Sequence, residues 1–255
     1  PFTGCVASGS NVLFFKEDCV HKIIGTNPKN YELYTYQIQG VRRGSEKSLV
    51  TINEALFYHG RNGVYIYTGG TPELLTENFG TRRFRDAVAG TDGERYYISM
   101  ADEATGEWGL WVYDTLRGIW LREDDTHAAD FAGLDGALYF LDVGDGQVYS
   151  TGRGGEERVA WSATLYPFDE TVHNRKGYSR LYLRLELEPG AWLKVEVSAD
   201  GGPFRQVYLT PDSRAGTMTV PILPTRCDSF TVRLSGRGAC VVKSLVREFD
   251  TGSEV

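Results

Sequence analysis

Residues 55–70 read ALFYHGRNGVYIYTGG, two short apolar runs, Ala55 to Gly60 and Gly63 to Gly69, joined through Arg61-Asn62. Asn62-Gly63 between alternating hydrophobic residues marks a tight β-hairpin, because both residues tolerate the positive φ angles of such a turn. The same unit recurs three more times. Asn11 to Lys16 (NVLFFK) leads into Cys19 to Gly25 (CVHKIIG), Arg95 to Met100 (RYYISM) into Gly109 to Asp114 (GLWVYD), and Ala137 to Asp142 (ALYFLD) through Gly144-Asp145-Gly146 into Gln147 to Thr151 (QVYST). Leu13, Leu56, Tyr96 and Leu138 then stand 43, 40 and 42 residues apart. That period suits four-stranded propeller blades. Glu32 to Ile38, Ser48 to Asn53, Glu73 to Thr76 and Gly118 to Arg122 supply further strand candidates. Residues 1–152 are therefore expected to form about four propeller-type repeats, a partial or small β-propeller. The first repeat has little sequence before Asn11 for an innermost strand.

Gly152 to Gly155 interrupts this pattern, and residues 153–157 read as a linker. Beyond it, Arg180 to Glu188 (RLYLRLELE) alternates strictly, with Leu181, Leu183, Leu185 and Leu187 on one face. Pro189-Gly190 makes a turn. Trp192 to Ser198 (WLKVEVS) resumes the alternation with Leu193, Val195 and Val197 inward and Lys194, Glu196 and Ser198 outward, so the two runs are expected to pair as a hairpin. Thr217 to Ile222, Ser229 to Ser235 and Ala239 to Phe249 add strands, and residues 158–255 read as a jelly-roll-like β-sandwich. The whole chain is expected to be all-β. Its 30 glycines, 15 tyrosines and 12 phenylalanines agree with many turns and ample core material.

Composition excludes some functions. A formal charge of −7 and a pI near 5.2 oppose general nucleic-acid binding. The Arg42-Arg43 and Arg82-Arg83-Arg85 clusters read as solvated loops. No run of about 18 apolar residues could form a membrane-crossing helix, so no membrane partner is expected. Cys5, Cys19, Cys227 and Cys240 lack zinc-site spacing and are expected to be buried, reduced thiols.

No nucleophile elbow, phosphate loop, dinucleotide fingerprint or zinc-protease helix is present, and His21, His59, His127 and His173 are scattered. No catalytic, cofactor-binding or metal residue is assigned, no cofactor is expected, and the chain is expected not to be an enzyme. Glu186 and Glu188 share a strand face but sit on a wet stripe. The acidic glycine loops Asp142-Val143-Gly144-Asp145-Gly146 and Asp200-Gly201-Gly202 offer too few oxygens for calcium and read as turns. Ser198 to Phe204 resembles the Asp-box of sialidase-type propellers, a folding turn without catalysis. Trp108, Trp111 and Trp120 crowd one repeat. Trp111 is expected in the core, and Trp108, which follows a turn, is the candidate for an exposed sugar-stacking face.

The segment Ala55 to Gly70, preceded by Val12 to Gly25 (VLFFKEDCVHKIIG), resembles propeller repeats of phage tail and neck proteins, including packaged-DNA stabilisation or nozzle proteins of short-tailed phages. The resemblance covers residues 10 to 150. Val246 to Val255 is similar to the closing strand and tail of such proteins. It implies a structural component of a virion assembled in the bacterial cytoplasm, contacting itself or other tail and neck proteins, with nucleic acid only as lumen contents. The alternative is a carbohydrate-binding propeller and sandwich, glycan-active in its fullest form. If the propeller is truncated at Pro1, with blades missing upstream, the outward face of the first hairpin, with Val12, Phe14, Val20 and Ile23 among its candidates, is expected to be an apolar surface that associates with itself or with the rest of the tail assembly.

Overall fold

A computed structural model describes residues 1–151, 158–210 and 215–251. The glycine-rich stretch and the linker expected at 153–157 lie outside the described residues, as does the end of the tail. The chain divides into two compact units, Pro1–Arg153 and Gly154–Val255. Both are built from strands, and no α-helix occurs among the described residues.

The first unit is a run of four antiparallel meander sheets, the blades of a partial propeller. The first holds β1 (Gly4–Ser8), β2 (Asn11–Phe15), β3 (Val20–Ile24) and β4 (Glu32–Tyr36) in that order. The second holds β5 (Val50–Ile52), β6 (Ala55–His59), β7 (Val64–Tyr67) and β8 (Glu73–Leu74), and the third β9 (Phe84–Thr91), β10 (Arg95–Asp102), β11 (Trp108–Asp114) and β12 (Ile119–Asp124). The fourth has three strands among the described residues: β13 (Ala128–Leu134), β14 (Ala137–Asp142) and β15 (Val148–Ser150). The repeated hairpins are the second and third strands of each blade. The expectation that too little chain precedes Asn11 is corrected, since β1 fits into residues 4–8.

Blades pack face to face because successive side chains of a strand point to opposite sides. Leu13, Phe15 and Val20 of the first sheet join Leu56, Tyr58, Tyr65 and Tyr67 of the second in one buried cluster. Phe57 and Val64, on the opposite face of the second sheet, pack with Tyr96, Ile98 and Met100 of the third. Tyr97, Leu110 and Val112 then meet Leu138 of the fourth. The repeat register needs one correction. Leu56, Tyr96 and Leu138 each face the preceding sheet, whereas Leu13 faces the following one, so its structural counterpart is Val12. A one-residue slip exchanges the two faces of a strand. Val20, expected on the outer face, is fully buried inside for the same reason.

A polar pin ties the second and third blades. The Ser45 hydroxyl accepts the Ala87 amide at 3.1 Å and lies 3.0 Å from His59 Nδ1. His59 Nε2 is buried without a hydrogen-bond partner among the described residues. Burial, then the Arg42 charge, lowers the His59 pKa to about 3. The arginine clusters are not solvated loops throughout. Arg42 pairs with Glu103 and donates to the Phe84 carbonyl at 2.7 Å, and Arg82 bonds Asp102 while covering the Phe84 ring.

The second unit is a β-sandwich. One sheet has the order β16 (Ala160–Thr164), β21 (Phe230–Arg237), β18 (Trp192–Ala199) and β19 (Arg205–Thr210). The other runs β20 (Ala215–Cys227), β17 (Lys176–Leu187) and β22 (Cys240–Asp250). The alternation over 180–188 places Leu181, Leu183, Leu185 and Leu187 in the core as expected. The expected hairpin between this run and Trp192 to Ser198 does not form. β17 pairs with β20 and β22, and β18 pairs with β19 and β21. Gly190, at φ 78°, carries the chain from one sheet to the other, so the leucines of β17 face Leu193, Val195 and Val197 across the core. Glu196 and Ser198, expected in water, are buried; Glu196 is held by Arg233 at 2.9 Å and Lys194 at 3.2 Å. All four cysteines are free, but Cys5 is exposed.

Candidate functional site

Where the third and fourth blades meet, their cluster of Tyr97, Leu110, Val112 and Leu138 leaves a surface groove of about 360 Å³ beside it. Asp124 at the end of β12 and Thr126 line one side; Phe140, Asp142, Gly144, Asp145 and Tyr149 line the other. Phe140 and Tyr149 are cross-strand partners, and their rings stack at 5.6 Å with 27° between planes. Phe131, the partner of Phe140 on β13, supports the stack at 6.0 Å.

The carboxylates are held by the local turns. Asp142 Oδ1 accepts the Gly144 amide at 2.6 Å and the Asp145 amide at 3.3 Å, so the acidic glycine loop is a hairpin turn as expected. Asp145 accepts the Tyr149 hydroxyl at 2.5 Å and the Gln147 amide at 2.9 Å; these bonds hold its carboxyl below the usual range and push the Tyr149 phenol up. Asp124 accepts the Thr126 amide at 2.8 Å. Its neighbour Glu123, which does not line the groove, shifts the opposite way: desolvation, then the charge of Asp124, raises that carboxyl, with Arg95 opposing and Asp92 adding to the effect. The groove thus presents the three carboxylates Asp124, Asp142 and Asp145 beside two aromatic rings and the Thr126 hydroxyl.

Trp108, expected as an exposed platform, is half-buried, and its ring lies on His127 at 3.5 Å. His127 is joined to the acidic turn through its carbonyl, which accepts the Val143 amide at 2.9 Å. Trp111 is half-buried between the second and third blades against Phe79 and Phe84, and Trp120 donates to the Leu75 carbonyl at 2.9 Å. The three tryptophans make no common surface. Sequence reasoning missed the aromatic pair; Phe140 and Tyr149 flanking the acidic turn on two successive strands were the available signal. No group of three His, Cys, Asp or Glu side chains among the described residues could hold a metal ion. The Asp-box-like segment lies in the sandwich as a turn, with Ser198 donating to the Gly202 carbonyl at 2.6 Å and Asp200 accepting the Asp228 and Ser229 amides.

No family model matches the chain, and no curated protein matches it. Solved structures do. An exo-β-1,3-galactanase variant from Phanerochaete chrysosporium with β-1,3-galactotriose aligns at TM-score 0.34 and 11% identity, covering 96% of this chain and 80% of that one. The same galactanase with galactose gives 0.21 and 13%, over 94% and 95% of the two chains. A further glycoside hydrolase gives 0.27 and 9%, over 93% and 82%. The expectation of a phage tail or neck component that is not an enzyme is corrected to this extent: the solved structures named here are glycoside hydrolases. Likeness this slight assigns no activity.

Proposed function

We infer that the protein binds carbohydrate in the groove between its third and fourth blades. The observation that supports this is the lining itself: the stacked rings of Phe140 and Tyr149 face the same space as Asp124, Asp142, Asp145 and Thr126. A sugar presents an apolar face of C–H bonds and a rim of hydroxyls. Aromatic rings take the first, and carboxylates, which accept hydrogen bonds at both oxygens, take the second.

Tyr149 is exposed and lies at the groove edge, so its truncation removes a stacking face without opening a core cavity. Tyr149→Ala is expected to weaken oligosaccharide binding roughly threefold to tenfold, the equivalent of one aromatic contact. Calorimetry against a panel of neutral oligosaccharides measures it. Unchanged affinity would move the site elsewhere, and silence from the whole panel would remove the reading.

A further inference from the structure

The two sheets of the sandwich end in the edge strands β19 and β20, and a cavity of about 270 Å³ lies between the sheets beside these edges. Tyr178 and Phe230, whose rings stack at 4.1 Å with 15° between planes, line it together with Val197 of one sheet and Ile222 of the other. Local backbone keeps the space open. The register between β17 and β20 breaks between Tyr178 and Arg180, whose partners are Thr225 and Pro221, so a longer stretch of β20 opposes a shorter one of β17 and bends away from it. Leu223, on that stretch, stands at the rim and is 71% exposed. On the other sheet the Asp-box-like turn contributes the exposed Gly202 and Pro203 to the same rim.

One lining residue does not belong to an apolar core. Arg205 on β19 is the direct cross-strand partner of the buried Val197, and opposite residues of an antiparallel pair share a face, so its side chain rises on the inner side of the sheet, at the mouth of the cavity. Among the described residues it has no ion pair, whereas Arg233 and Arg247 of the same unit are paired with Glu196 and Glu170. An inward charge on an edge strand guards against edge-to-edge pairing, but that role needs no cavity behind it. We propose that this end of the sandwich binds a small carboxylate with an apolar body, the body between the rings and the aliphatic walls and the carboxylate on the Arg205 guanidinium. The planar fork of an arginine matches a carboxylate in shape, and one cation balances one negative charge, where a phosphate dianion would leave a charge unmet. A neutral sugar of the kind inferred for the propeller groove would set its hydroxyls against Val197, Ile222 and Leu223, which offer them no partner. The volume lies just below the range of about 300–1,000 Å³ usual for drug-sized ligands, so the body is small.

Calorimetry of the whole chain at neutral pH against octanoate, octanol and acetate tests this. Octanoate is expected to bind more tightly than octanol, which lacks the charge, and than acetate, which lacks the body. Arg205→Gln is expected to weaken octanoate roughly tenfold to hundredfold, the equivalent of one charge-assisted hydrogen bond, and to leave octanol within about twofold. Leu223→Ala removes apolar wall and is expected to weaken octanoate and octanol by the same factor. Both side chains are exposed, and an unchanged urea midpoint shows that the variants are folded. Octanoate binding that survives Arg205→Gln, or acetate binding as tightly as octanoate, overturns the proposal. So does a parent chain that takes up no octanoate, and association of the Arg205→Gln chain in sedimentation would then assign the residue to edge protection alone.

Discussion

Acidification from pH 7 to about pH 4.5 is expected to destabilise the propeller unit while leaving the sandwich nearly unchanged. His59 is fully buried, and its pKa falls to about 3 in the folded state, because burial and then the Arg42 charge oppose its protonation. In the unfolded chain it titrates near pH 6.5. Above that pH both states are neutral and the residue contributes nothing to the pH dependence. Below it the unfolded chain takes up a proton that the folded one refuses, so stability falls with pH at up to about 1.4 kcal/mol per unit, or roughly 2–3 kcal/mol by pH 4.5. His127, lowered mainly by partial burial, acts in the same direction. Glu123, whose pKa is raised above the ordinary 4.5, acts in the opposite direction and inside the same window, offsetting part of the loss. In the sandwich the lowered groups are the carboxylates Glu170, Glu196, Asp200 and Glu248, whose stabilisation persists until the pH falls toward their own range. Urea unfolding followed by hydrogen exchange resolves the two units. His59→Asn, which keeps an acceptor near Nδ1 but does not titrate, is expected to flatten the dependence between pH 6.5 and 4.5. A slope that survives this substitution would remove His59 as its source.

Leu183→Ala is expected to cost the sandwich 2–5 kcal/mol, the range for truncating a buried leucine whose surroundings cannot collapse. Leu183 is fully buried in the middle of β17, the central strand of its sheet, with Met218 and Leu245 as cross-strand partners. Across the core it belongs to the same cluster as Leu193, Val195 and Leu234. For a domain stabilised by about 5–15 kcal/mol this is a large fraction of the total. Leu223→Ala, on the same sheet but 71% exposed, is expected to change stability by no more than about 0.5 kcal/mol. Equal effects of the two substitutions in urea unfolding would show that the alternation over 180–188 does not define the core.

The hairpins at the centre of each blade were legible because bulky apolar residues alternate there and glycine turns join them. The innermost strands β9 and β13 were not. Strands near the axis are crowded, and they carry Ala87, Ala89 and Gly90, or Ala128, Ala132 and Gly133, which lack the bulk that marks a strand. A Cβ at Gly90 would stand 2.4 Å from Phe131 Cβ, so the blade junction itself demands the residue that hides the strand. In the sandwich, alternation identified which side chains of Arg180 to Glu188 are buried. It carried no information on partners, and two runs facing each other across a core alternate just as two paired neighbours do. The groove was legible only in its turn: Asp142 to Gly146 read as a hairpin loop, whereas the distance in sequence between Asp124 and Tyr149 is closed by blade packing, which no local pattern records.

Backbone amide shifts during titration with an oligosaccharide that binds test the account most directly. The predicted result is a set of perturbations confined to Asp124 through Thr126, Phe140 and Gly144 through Tyr149, lost in Tyr149→Ala. Perturbations centred on the sandwich would contradict it.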